Sequence, residues 1–214
     1  MYIIGYATKQ ARSQMARRAN PFDWSGGHPA LDLVNTLDER HSGAPVENLA
    51  TYGDLERFAE LAGLIDRSVS DRLRPFLERK CTYIARRARE LRENLYRILA
   101  AAHLEQNVPK ASLDGIASEV RRAHAARALV ATSASGTIKH GWLSPSALEI
   151  PLHACALAVE ALLVNIDHSR IRKCGASDCD VYFIDTSKAH RRQWCSMQNC
   201  GNREKQRRWR SGVE

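Results

Sequence analysis

No apolar run in these 214 residues approaches the ~20 that a membrane span needs. The apolar stretch at residues 2–7 is too short for a signal-peptide core, and no cation precedes it. The expectation is a soluble, cytoplasmic protein with no membrane partner. No phosphate-cradling glycine loop, HExxH pattern or activated nucleophile occurs, so no catalytic residue is assigned and no enzyme is expected. There is no internal repeat.

Two further shortages are local. The first 20 residues hold no acid but four cations, Lys9, Arg12, Arg17 and Arg18. The last 45 hold few apolar residues, too few for a core of their own. What is present is otherwise ordinary for a globular chain: 44% apolar and 26% charged residues. The net charge of +8 is uneven, with +4 in residues 1–20, +6 in 170–214 and −2 between them. A near-neutral body with basic ends points to a polyanion, typically nucleic acid.

Six cysteines occur, and four read C-x4-C, fifteen residues, C-x4-C: Cys174, Cys179, Cys195 and Cys200. Two such pairs can hold one Zn²⁺ through four thiolates at ~2.3 Å, leaving no open position for catalysis. Disulfides are the rival, disfavoured without a secretion signal; unpaired buried thiols are the third reading. A core-poor segment needs such a staple to fold. Cys81 and Cys155 sit in helical apolar patterns and read as core packing.

The periodicity predicts a mostly α protein. Residues 26–29 form a turn, with Pro29 opening an amphipathic helix over 30–40. A loop around Gly43, Pro45 and Asn48 follows, then a helix through Leu55 and Phe58 ended by Gly63. Ser70-Asp71 caps the next segment. A long helix covers 80–105 and another 112–125, a β-hairpin spans 127–143, and a further helix runs from 146 to 166. Residues 181–185 make a short strand with 191–195 as its partner, and a helix follows Cys200. The architecture is a helical N-terminal domain with a small hairpin plus a treble-clef-like zinc finger. Its divisions are a mobile basic tail at 1–20, a helical domain at 21–168 and the finger at 169–214.

On the last helix Arg203, Arg207 and Arg210 share a face, with Lys205 and Arg208 in a neighbouring stripe. Three cations one turn apart repel, so a counter-anion explains them better than solvent does; Arg191 and Arg192 can add phosphate contacts. Near the front, His28, Asp32 and Asn35 fall at i, i+4, i+7, with Thr36 beside them. They line a small-molecule pocket, or they form a capping and hydrogen-bond cluster; a His28–Asp32 catalytic dyad is the remote third reading.

Asp185-Thr186-Ser187-Lys188, Trp194-Cys195-Ser196-Met197 and Cys200-Gly201-Asn202-Arg203 resemble the bacterial CGNR zinc finger family over roughly 170–211. Residues 27–36, running Gly-His-Pro-Ala-Leu-Asp-Leu-Val-Asn-Thr, resemble the ABATE domain that accompanies this finger. The resemblance implies a stress-induced bacterial transcription regulator. It makes the four cysteines of the two pairs the ligands of one structural Zn²⁺. Arg203 becomes the motif arginine, with Asn202 beside it on the DNA side. Family members often carry two adjacent arginines before the tryptophan; this chain has Arg192 and Gln193.

The leading expectation is a regulator that binds double-stranded DNA through the finger, while the helical domain senses a small-molecule effector or forms a homodimer. The alternative is a small-molecule-binding or enzymatic helical domain with the zinc as a structural clip. RNA binding, with Trp194 or Trp209 stacking on bases, is the third.

Overall fold

A computed structural model of the chain describes residues 21–73, 81–131 and 137–212. The basic tail expected at 1–20 lies outside them.

Helix α1 (Pro29–Val34) starts where the sequence places it. His28 is extended and its Nδ1 accepts the Ala30 N–H, while Pro29 needs no N–H partner at the first position. The helix ends six residues earlier than expected. The Thr36 hydroxyl donates to the Leu33 carbonyl at 2.7 Å, the kind of local bond that competes with helix. The chain then enters β1 (Leu37–Asp38), which pairs antiparallel with β2 (Val46–Glu47). Residues 30–34 are all buried, so α1 is enclosed rather than amphipathic.

Thr51 and Asp54 close a capping box at the start of α2 (Tyr52–Leu61), and Gly63 leaves it at φ +69°, a conformation glycine adopts without a Cβ clash. In α3 (Arg67–Leu73) Ser70 lies inside the helix rather than capping it, donating to Glu60 at 2.9 Å and also to Glu56. The long helix α4 (Thr82–His103) buries the stripe Ile84, Ala88, Leu91, Leu95 and Leu99. Helix α5 (Lys110–Ala125) leads into the hairpin β3 (Arg127–Ala131) and β4 (Ile138–Trp142), paired from Arg127 opposite Trp142. Helix α6 (Ile150–Asn165) is apolar almost all round, which suits a central position, and it packs on α1, α2, α4 and α5. Cys81 and Cys155 are core residues, as expected. Burial also pushes the Cys155 thiol up to about 12.

Arg92 is the most deeply buried cation among the described residues, 2% exposed. It forks onto Glu47 at 2.6 and 2.7 Å and reaches Glu93 at 2.8 Å, tying β2 to α4. A buried guanidinium is tolerable only when paired in this way.

The C-terminal module begins with β5 (Ile171–Lys173), which pairs antiparallel with β6 (Tyr182–Ile184). The expected partner, 191–195, instead sits across the first cysteine turn, where the Gln193 carbonyl accepts the Gly175 N–H at 2.8 Å. A π-helical turn (Met197–Gly201) opens into α7 (Asn202–Ser211). A hairpin whose connection is the first cysteine turn, then the second cysteine turn opening into a helix, make up the zinc-finger module.

Strand β6 serves both modules. Alternate residues of a strand face opposite sides. Tyr182 and Ile184 pack on the helical core, while Val181 and Phe183 join the small core of Cys174, Ala176, Cys195 and Cys200. Among the described residues no helix is long and apolar enough to cross a membrane.

Candidate metal centre and nucleic-acid interface

The two cysteine turns converge on one point. The four Sγ atoms of Cys174, Cys179, Cys195 and Cys200 lie within 4.8 Å of one another. Cys179 and Cys195 are 3.8 Å apart, and Cys195 and Cys200 3.5 Å. A tetrahedral zinc with ~2.3 Å bonds requires sulfur–sulfur edges of ~3.8 Å, so the residues fit the ion. A disulfide would require ~2.05 Å, and all six cysteines are free thiols. The chemistry agrees. Hydrogen bonds from Cys179 and Cys195 hold the Cys174 thiol low, and the same contacts with Cys174 push those of Cys179 and Cys195 up. Four thiolates this close call for a dication. The centre is a closed site for one structural zinc ion, which would cross-link the two turns.

The motif arginine, though exposed, turns onto this centre. Arg203 donates to Asp178 at 2.8 and 3.2 Å and to Cys200 Sγ at 3.3 Å. Arg207 reaches the other Asp178 oxygen at 3.1 Å and also contacts Ser177 and Glu204. The two guanidiniums hold the Asp178 carboxyl below its ordinary range, against the partial burial that would raise it. The counter-anion that the arginine stripe demanded is thus internal. A cation donating to a zinc-bound sulfur also offsets part of the −2 charge that four thiolates leave on the metal.

Arg192 is likewise engaged within the finger. It lies 4.4 Å over the Phe183 ring, donates to the Trp194 carbonyl at 2.9 Å and reaches the Cys195 carbonyl. It clamps the second cysteine turn. The Asn202 amide donates to the Gln198 carbonyl at 3.2 Å. Asp185, fully buried, accepts the N–H groups of Ser187 and Arg192, each at 2.9 Å. Those bonds, with that of the Ser187 side chain, hold its carboxyl down to about 2.

Six expected cations are exposed; beside Arg203 and Arg207, which pair with Asp178, these are Arg191, Lys205, Arg208 and Arg210. None of the last four has an acidic partner among the described residues. Lys205, Arg208 and Trp209 fall on the side of α7 opposite Arg203 and Arg207. Trp209 is 84% exposed.

The front motif is brought together, but as connections within the protein. His28 caps α1, and burial lowers its pKa. Asp32 Oδ1 accepts the Gly26 N–H at 2.9 Å, and a Cβ on Gly26 would lie 2.6 Å from that oxygen. Burial raises the Asp32 carboxyl to about 7, against the lowering by Gly26 and with nearby Asp23 adding to it. Asn35 pairs with the backbone of Tyr182, and Thr36 accepts from Arg92 at 3.2 Å. The Asp32 N–H donates to the His28 carbonyl at 3.0 Å in the first turn, and no side-chain hydrogen bond joins the two residues. Three clefts of about 970, 550 and 420 Å³ indent the surface, and none is lined by these four residues. The contacts of these four residues are those of the capping and hydrogen-bond cluster, with Asn35 the one that joins the finger to the body.

Sequence reasoning missed Asp178, the docking role of Asn35 and the contact of His41 with Asp180, where ring and backbone nitrogens meet one carboxylate at 2.7 and 2.6 Å. The available signal was the pair of acids, Asp178 and Asp180, on either side of Cys179.

Compared with known families, residues 27–165 match the ABATE family model, described as "Putative stress-induced transcription regulator". Residues 170–211 match the CGNR zinc finger model. No curated protein matches the chain.

Proposed function

Since the chain belongs to the ABATE family and ends in a CGNR zinc finger, we propose that it regulates transcription by binding double-stranded DNA through the finger, without catalysing a reaction. One observation carries the reading: a zinc-held module presents Arg191, Lys205, Arg208 and Arg210 exposed and without acidic partners, while Asp178 neutralises the arginines next to the metal. Uncompensated cations on a rigid frame suit phosphate, and Arg suits guanine edges as well. The +8 chain adds a general attraction for a polyanion. The helical domain, to which the finger is fixed, senses a small-molecule effector.

The test is binding of the zinc-loaded chain to selected genomic duplexes over a range of salt. Neutralising about four phosphates predicts a log–log slope of roughly −3.5. Absence of salt-sensitive duplex binding overturns the reading. Tighter binding to single-stranded RNA would instead favour stacking on Trp209.

A further inference from the structure

A cleft lies where the finger meets the helical domain, and its volume of about 970 Å³ is in the range of small-molecule sites. Its floor is apolar: Ile98, Leu99 and Ala102 from the end of α4, Leu163 from α6 and Ile171 from β5. Its rim is cationic. Arg172, Arg191 and Arg208 line it, and of its two acids Glu204 is already paired with Arg207. A duplex would use the rim but leave the apolar floor exposed to water.

A second observation falls on the same walls. Three non-glycine residues among those described have left-handed backbones, and two of them, Glu105 (φ 54°) and His190 (φ 50°), line this cleft from opposite modules. Such conformations are uncommon for side-chain-bearing residues and gather where surrounding structure holds them for a purpose. The first 20 residues, with four cations and no acid, have the wrong charge to fill the cleft.

We infer that this cleft binds a small organic anion with an apolar body, its head on the Arg172/Arg191/Arg208 rim and its body on the Leu99/Leu163 floor. Because the walls come from both modules, such a ligand is held only when the finger is docked. Binding there deepens the sensing role proposed above and rests on it for its purpose, though not for its chemistry.

The test therefore contains no DNA, so its failure leaves duplex binding untouched. The zinc-loaded full chain is titrated with the fluorescent anion anilinonaphthalene sulfonate, and decanoate and the decyltrimethylammonium cation compete for it. Expected are one saturable site per chain, displacement by decanoate and none by the cation of equal tail length. Ala102→Trp, which fills the floor, and Arg191→Glu, which reverses the rim, each weaken binding tenfold or more, with circular dichroism unchanged. No saturable site, equal displacement by the cation, or wild-type affinity in either folded variant overturns the inference.

Discussion

Asn35 and Tyr182, 147 positions apart, exchange two hydrogen bonds of 3.0 Å: the Asn35 amide donates to the Tyr182 carbonyl and accepts its N–H. A side-chain amide thereby acts as one residue of a neighbouring strand. Both modules meet here, because the Tyr182 ring enters the helical core at 3% exposure and packs edge-on to Tyr96 at 5.9 Å. The Gly26 carbonyl extends the seam by accepting the Ile184 N–H at 2.9 Å.

Asn35→Ala orphans a buried N–H and a buried C=O of β6. Each costs about 1–3 kcal/mol when left unpaired, so the expected loss is about 2–6 kcal/mol in urea unfolding. A loss below about 0.5 kcal/mol would mean that the seam is held elsewhere.

Cys195→Ser should abolish stoichiometric zinc in metal analysis, since a closed four-sulfur site has no spare ligand. Far-UV helicity should largely persist, because α1 to α6 bury their own core. The thermal midpoint of that core should nevertheless fall, because Tyr182 belongs to it. Retained zinc would refute the ligand assignment.

The arginines of α7 should separate into two classes. Arg203→Ala should speed zinc loss to a chelator, because Arg203 bonds both Asp178 and Cys200; Asp178→Ala should do the same. Arg208→Ala should leave zinc in place and reduce the salt slope of duplex binding by about one. Equal effects of Arg203→Ala and Arg208→Ala on zinc release would contradict the division.

Asp32 gives the fold a pH dependence of unusual sign. Its carboxyl is raised to about 7 in the fold, above the ~3.9 of an unfolded chain. The folded state then binds more protons than the unfolded state between those values. Its stabilising effect is complete below about pH 4 and is lost as pH rises through about 7. Asp32→Asn can still accept the Gly26 N–H, yet does not ionise. Unfolding at pH 5 and pH 8 should show the wild type losing on the order of 2–4 kcal/mol relative to this variant. Parallel profiles would show that Asp32 titrates normally.

Patterns that repeat along the chain were readable in advance. The 3.6-residue stripe of α4 and the 127–143 hairpin lie where periodicity placed them, and cysteine spacing identified the metal centre. Pairings across the chain were not. Nothing in spacing tells whether 182–184 pairs with 171–173 or with 191–195, since both are short and mix polar with apolar residues without clear alternation. The same holds for Arg203, whose partner lies 25 positions back in the other cysteine turn. In the front motif, polar groups at helical spacing look alike whether they face a ligand or another strand. Only tertiary placement distinguishes the two.

Strand β6 carries a practical consequence for chimaeras. Joining this finger to the front half of another member would set a foreign residue opposite the Tyr182 backbone and a foreign wall against its ring. A splice at 168–169 would divide one packing unit, so a functional hybrid must transplant position 35 together with the residues that surround residue 182.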